Sequence, residues 1–424
     1  MVNRLKKLSF QFKKVLKLTS ELSRKAGYKV YLVGGVVRDL LLGKEVFDLD
    51  IVVDGNAIKL ASRLARQLNA EFRKHHAFGT ATVGSQGKKV DFVTARRETY
   101  PHWGALPKVK PDSLAEDLLR RDFTINAIVI GLNKGDYGKL IDLYGGLKDL
   151  KRGLIRVLHS QSFLEDPTRI FRAIRFEQRF QFKIEPCSLR LLKQALRKDA
   201  LNSVNSHRLR NELILILKEP EPRRCIKRLN DLLSFSFITP SLKLKGEDFK
   251  LFKRIEKALK QYQEKFEKPR QLQVWLVYLG AMLVRLSLRE MKNVLHNFGF
   301  KKGERIIVTS MSEGFRKIKR LDSKVSPKVI HRILDQYSLE AILFFYAYYP
   351  RVKLRKNIEH FLEELIDSRI ELKGRDLKEL GFEPTVLYGR ILKSVSYAKL
   401  SKSLKTKDDE IKEARRIFKR LRRK

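Results

Sequence analysis

Two aspartates one residue apart, Asp48 and Asp50, stand in the apolar run DLDIVV. In an extended strand, side chains i and i+2 share a face, so both carboxylates point one way while Leu49 and Ile51 enter the opposite layer. Like charges this close repel unless a cation lies between them. Oxygen donors on a rigid strand suit Mg²⁺, which keeps one or two carboxylates and completes its shell with substrate phosphates. Just upstream, VYLVGGVVRDLLLG puts Gly34 and Gly35 where an apolar strand ends and a short helix, closed by Gly43, begins. Glycines let a phosphate approach the backbone, and a helix N-terminus adds donors and a favourable dipole. Arg38 lies on the same helix and can reach the same anion. Metal-binding carboxylates beside a phosphate cradle make a phosphoryl-transfer site.

A second constellation lies in SFLEDPTRIFRAIRFEQRF. Pro167 suits the first turn of a helix and Asp166 its N-cap. Capping alone would leave Arg169, Arg172 and Arg175, three residues apart, without a purpose; aimed at a nucleotide they have one. A carboxylate that accepts from an exocyclic amino group, beside a guanidinium that donates to a ring nitrogen, admits adenine and cytosine and rejects guanine and uracil. Asp166 and Arg169 are of the types such a pair needs, and reading a base in this way requires no nucleic-acid template.

The order strand, GGxVRD, helix, DLDIVV resembles motif A of the nucleotidyltransferase superfamily. The closer likeness is to its class II branch, which holds bacterial tRNA nucleotidyltransferases and poly(A) polymerases. LLRRDFTINAIVIG is similar to that family's motif B. The resemblance implies that Asp122 accepts from the 2′- or 3′-hydroxyl, Arg121 holds the phosphate side and Asn126 fixes the loop. IDLYGGLKDL, with Asp142, Gly145, Gly146 and Asp149, resembles motif C, a hinge or a purely structural turn. EDPTR resembles motif D, and NSHRLRNELILIL motif E, whose Arg208 and Glu212 are expected to brace a neck. FGTATVGSQGKKVDFVT reads as two strands joined at Ser85–Lys88. Its Asp91 is either the superfamily's third acid (metal ligand or base for the primer hydroxyl) or an edge-strand residue facing water. Residues 96–117, with three prolines, read as a long loop, in a place where class II enzymes have one that helps switch nucleotide specificity. ELKGRDLKELGFEPTVLYGR, with Gly381, Pro384 and Gly389, resembles the tail motif of CCA-type enzymes.

The elements that must position these residues are two kinds of region. Alternating strands and helices fill roughly the first third, and helical periodicity fills the rest. The resemblance implies an α+β fold: a small mixed β-sheet head at 1–145, then an all-helical neck (146–235), body (236–365) and tail (366–424). Residues 1–25 read as an amphipathic helix.

Charge narrows the partners. There are 91 Lys and Arg against 48 Asp and Glu, a formal net charge of +43. Such an excess opposes compaction and points to a polyanion. No apolar run has spanning length, which argues against a membrane. Two cysteines, Cys187 and Cys225, have no metal-ligand spacing and suggest a reduced, cytoplasmic setting. His75 and His76 read as surface or packing residues.

The expected reaction is attack of a tRNA 3′-hydroxyl on the α-phosphate of ATP or CTP, with two Mg²⁺ ions and release of pyrophosphate. Basic helices would grip the acceptor and TΨC arms, in a monomer or homodimer. Whether C, A or the whole CCA is added stays open, the full-length 96–117 stretch leaning towards A or CCA. The alternatives are a poly(A) polymerase and a noncatalytic RNA-binding protein.

Overall fold

The computed structural model describes residues 5–85, 88–265, 270–366, 370–383, 385–401, 404 and 406–422. Helix α1 (Phe10–Ala26) begins where the Ser9 hydroxyl accepts from the Phe12 N–H and ends at Gly27, in the left-handed region at φ 71°. Then come β1 (Lys29–Val33), α2 (Gly35–Leu41), β2 (Asp48–Asp54), α3 (Ala57–Leu68), β3 (Glu71–His75), β4 (Thr80–Ser85) and β5 (Lys88–Thr94). They are followed by β6 (Arg96–Thr99), β7 (Lys108–Pro111), α4 (Leu114–Leu119), β8 (Val129–Gly131), β9 (Leu140–Ile141) and α5 (Gly146–Arg152). The Ser85–Lys88 turn lies partly, and Pro384 wholly, outside the described residues.

Seven strands form one mixed sheet in the order β3-β4-β5-β2-β1-β8-β9. Strands β2 and β5 are parallel, and the other pairs are antiparallel. The odd-numbered β2 residues Leu49, Ile51 and Val53 are fully buried, as expected for the layer covered by α1 and α3, which pack on each other and on the sheet. On the other face Val52 joins Tyr31, Val33, Leu118, Ala127 and Val129 in a core cluster. That cluster stops short of Asp50 and Asp48, so the start of β2 stays accessible.

Residues 96–117, expected as a loop, instead hold the β6–β7 hairpin and the start of α4. The Glu98 carboxylate organises it, accepting from Arg96, Arg120 and the Tyr100 hydroxyl. Pro101 and Pro107 fall in the connection and Pro111 at the strand end, where a missing N–H is harmless.

Beyond the sheet come β10 (Leu154–Ile155), α6 (Ser162–Glu165), α7 (Arg169–Phe180), β11 (Lys183–Ile184), α8 (Pro186–Arg197), α9 (Ser206–Leu217) and α10 (Pro222–Leu232). The only strands here, among the described residues, are β10 and β11, paired in parallel over two residues. Phe123 meets Phe176 of α7 edge to face, centroids 5.9 Å apart, which fixes α7 against the turn before β8.

The chain divides into two compact units, Met1–Phe237 and Ile238–Lys424. The second is helical. Helices Val274–Leu283 and Leu339–Tyr348 are buried on nearly all sides, and Leu372, Leu377, Phe382, Ile391 and Val395 form a smaller cluster towards the C-terminus. No described helix is long and apolar enough to cross a membrane.

Candidate active site

Asp48 and Asp50 project from the accessible face of β2, and Asp91 of β5 is the register partner of Asp50. Strand β5 lies between β4 and β2, so Asp91 is on an interior strand and the edge-strand reading is corrected. Thr82 of β4 donates to Asp91 Oδ1 at 2.5 Å. Burial pushes the Asp50 carboxyl up to about 6; Arg121 opposes the shift, while Asp91 and Asp48 add to it.

The turn between β1 and α2 backs onto this group. Gly34 precedes α2 at φ 79°, a conformation side chains disfavour. A Cβ there would lie 3.3 Å from Arg121 Nη1 and 3.4 Å from Asp50 Oδ2. Glycine at 34 lets turn, guanidinium and carboxylate converge. Arg121 is held by Asp117 Oδ2 at 3.0 Å, and its Nε has no hydrogen-bond partner among the described residues.

Arg38 departs from expectation. It is 5% exposed, donates to Asp39 and to Asn126 Oδ1 at 2.7 Å, and lies over the Phe176 and Phe180 rings. It joins α2 to α7 and backs the glycine turn from its buried side, Nη2 lying 3.4 Å from where a Gly35 Cβ would stand. Periodicity could not show this, because its partners are 88 or more residues away except for Asp39.

Asp122 is also enclosed. Its Oδ1 accepts from Phe123 N and Asn126 Nδ2, both at 2.8 Å. Its Oδ2 accepts from Arg172 Nε at 2.8 Å and Nη2 at 2.6 Å. Burial works against this carboxylate, but Arg172, Asn126 and Arg169 outweigh it and hold its pKa down at about 2. Asp142 accepts from Gly146 and Leu147 N–H, and Asp149 from Thr124 and Arg156; the motif C residues pin α5 in place.

Helix α7 is regular from Arg169, and Asp166 caps the turn that leads into it: extended at φ −130°, it accepts from Thr168 N through Oδ1 and from Arg169 N through its carbonyl. Asp166 Oδ1 also accepts from Thr168 Oγ1 and Arg208 Nη2. The three arginines do not converge on open space. Arg169, 4% exposed, turns inward to Ser162 Oγ and the Arg120 carbonyl, each at 2.6 Å. Arg172 goes to Asp122, and Arg175 lies 3.7 Å from Glu219 Oε1 and over Phe176. A spacing of three drifts round a helix of 3.6 residues per turn, so the three heads reach different partners.

Sequence reasoning missed Arg120 and Glu98, which anchor Arg169 and the hairpin, and gave Arg208 only a bracing role. Arg208 also donates to the Gly104 carbonyl at 2.8 Å, tying the β6–β7 connection to Asp166. Glu212 lies near Arg172 and Arg175 with Oε2 buried and unpaired among the described residues.

Among the described residues no three His, Cys, Asp or Glu side chains are gathered closely enough to cage a metal. Two oxygen-only carboxylates beside a glycine turn still fit Mg²⁺, which typically takes few protein ligands and shares substrate phosphates.

A mixed sheet bearing paired carboxylates beside a glycine turn, followed by helices, defines a nucleotidyltransferase head on a helical scaffold. The Poly A polymerase head domain model matches residues 30–156. An A-adding tRNA nucleotidyltransferase of Geobacter sulfurreducens is 36% identical over 403 residues, covering 92% of this chain. The chain spans 45% of that relative's length. An A-adding tRNA nucleotidyltransferase of Halalkalibacterium halodurans is 32% identical over 408 residues, covering 95% of this chain and 92% of the relative. A solved CCA-adding enzyme in complex with ATP superposes with a TM-score of 0.76 at 30% identity, covering 97% of both chains. The chain belongs to the class II tRNA nucleotidyltransferase family.

Proposed function

We propose that this chain adds nucleotides to the 3′ end of tRNA, the terminal A foremost, from ATP and with release of pyrophosphate. The observation that carries the reading is the Asp48–Asp50 pair beside the Gly34 turn. The A-adding names of relatives at 36% and 32% identity support A as the product. Full CCA addition from CTP and ATP is the second reading, favoured by the likeness to the solved CCA-adding enzyme.

Asp48 and Asp50 would hold Mg²⁺, two ions in this reading, which when bound activate the primer hydroxyl and stabilise the leaving oxygens. The backbone amides at Gly34 and Gly35, with Arg121, receive the triphosphate. Asp91 either accepts the hydroxyl proton or adds a metal ligand. Asp166 and Arg169 read the base after exchanging their internal partners for its edge. The basic helices of neck (146–235), body (236–365) and tail (366–424) contact the acceptor and TΨC arms by phosphate and shape, as double-stranded RNA requires.

The test uses tRNA transcripts ending at the discriminator base, in C or in CC, each offered single nucleoside triphosphates. A-addition on CC ends alone supports the first reading, and stepwise C, C and A addition the second. ATP-only extension of unstructured RNA would replace both with a poly(A) polymerase, and no incorporation on any substrate would refute catalysis.

A further inference from the structure

Asp122 is the carboxylate assigned to the sugar, yet its four hydrogen bonds fill the acceptor positions a carboxylate offers. Two of the four come from its own turn, Phe123 N and Asn126. The other two come from one side chain, Arg172 of α7, which is 32% exposed and so has room to move. A ribose hydroxyl can be accepted at Oδ2 only if Arg172 leaves.

A second seat exists for it. Glu212 of α9 is within electrostatic reach of Arg172, which after burial is the strongest influence on it, ahead of Arg175. Arg172 in turn has its pKa raised by Asp122 first and by Glu212 beyond that, against the opposing effect of burial. Glu212 Oε2 is buried, and no described donor reaches it. A buried acceptor left unsatisfied is unfavourable, and a guanidinium arriving from Asp122 would relieve it. One cation therefore serves a saturated carboxylate and an unsatisfied one.

We propose that Arg172 is a two-position gate: it sits on Asp122 while the nucleotide is absent and moves to Glu212 when a ribose hydroxyl takes its place. Glu212 is then a positioning residue for sugar recognition. The gate assigns the 2′-hydroxyl to Asp122 Oδ2, so a deoxyribonucleotide, which keeps only the 3′-hydroxyl, leaves Arg172 on Asp122. Ribose preference thus depends on a residue that never touches the sugar.

The proposal rests on the nucleotide-addition reading and is tested with ATP and dATP on tRNA ending in CC. The kcat and KM of each are measured for wild type, Glu212→Gln, Arg172→Ala and the double variant, with melting curves alongside. Glu212→Gln removes the charge at the second seat, so the KM for ATP should rise about tenfold while that for dATP and both kcat values hold. Arg172→Ala leaves nothing to displace, so the preference for ATP over dATP should widen. The double variant should follow Arg172→Ala, because the second seat has lost its occupant. Parallel changes for ATP and dATP in Glu212→Gln, or a narrowed preference in Arg172→Ala, would overturn the gate. If Glu212→Gln does not fold, the sign of the Arg172→Ala effect decides alone. A wild type that incorporates neither nucleotide would instead remove the functional reading, and the gate with it.

Discussion

Asp50 on β2 and Asp91 on β5 are register partners on neighbouring parallel strands, so their side chains project from one face of the sheet. Asp48 shares that face two residues earlier. Asp48→Asn and Asp50→Asn should each lower turnover at least ~10³-fold with tRNA affinity nearly intact, because metal assistance supplies several kcal/mol to the transition state. Single-turnover rates and filter binding check this, and retained turnover in either variant removes the metal assignment. Asp91→Asn separates its two roles from a third: a near-wild-type rate would leave Asp91 only the Thr82 hydrogen bond.

The raised pKa of Asp50 has a consequence with a definite sign. With a folded pKa of about 6 against an ordinary 3.8, the metal-free native state binds more protons than the unfolded chain between those values. Stability contributed here is therefore present at low pH and declines as pH rises from about 4 to about 6. Asp50→Asn should flatten that decline. Mg²⁺ requires the ionised carboxylates, so it should raise the melting temperature of wild type more at pH 7 than at pH 5. Melting curves of both proteins with and without Mg²⁺ provide the comparison; equal Mg²⁺ stabilisation at the two pH values would contradict it.

What the sequence revealed, and what it hid, follows from the range of the interactions. The alternation in DLDIVV and the Gly34-Gly35 break are local, so the facing carboxylates and the glycine turn beside them were legible from spacing alone. Arg38 and Arg172 had the right residue type on the right helices, but their partners lie 88 and 50 residues away in sequence. The hairpin at 96–117 depends on Arg120, outside the segment, closing onto Glu98. Helix α7 was legible as a helix; the direction of each arginine head on it was set by tertiary contacts.

Gly34→Ala tests the cradle independently of the metal. The backbone at φ 79° and ψ −142° lies in a region that essentially only glycine adopts, and an L side chain there costs about 1–3 kcal/mol. Its Cβ would also press on Arg121 and Asp50 at 3.3 and 3.4 Å. The expected result is a modestly lower melting temperature and a rise in nucleotide KM well beyond what that loss of stability explains. An unchanged KM would mean that the triphosphate does not approach this turn.

The net charge of +43 predicts that affinity for tRNA falls steeply with salt, since each phosphate neutralised releases counterions and sets the slope of log K against log salt. Titrations from about 50 to 200 mM salt should lose several orders of magnitude if six or more phosphates are contacted. A flat dependence would assign the charge to something other than RNA.

Asp166 gives the sharpest separation of roles. Its Oδ1 accepts from Thr168 and Arg208, so a purely structural function is available to it: stiffening the entry to α7 and holding Arg208. Under that function, Asp166→Ala should cost about 1 kcal/mol of stability, as loss of a local cap does, and leave nucleotide selectivity unchanged. If the carboxylate instead accepts from the amino group of adenine, its loss removes a charged hydrogen bond of roughly 1.5–3 kcal/mol. Discrimination of ATP against GTP and UTP should then fall by about one to two orders of magnitude. Relative incorporation of the four triphosphates by wild type and Asp166→Ala, with melting curves on the same samples, distinguishes the two. A lower melting temperature with intact selectivity would sink the base-reading role. Arg169→Ala completes the argument, because the Arg169 guanidinium bonds Ser162 and the Arg120 carbonyl rather than Asp166. The two residues meet only through the backbone, where Arg169 N donates to the Asp166 carbonyl at 3.0 Å, and their side chains share no hydrogen bond, so similar selectivity losses in both variants would mean that the side chains meet on the base itself.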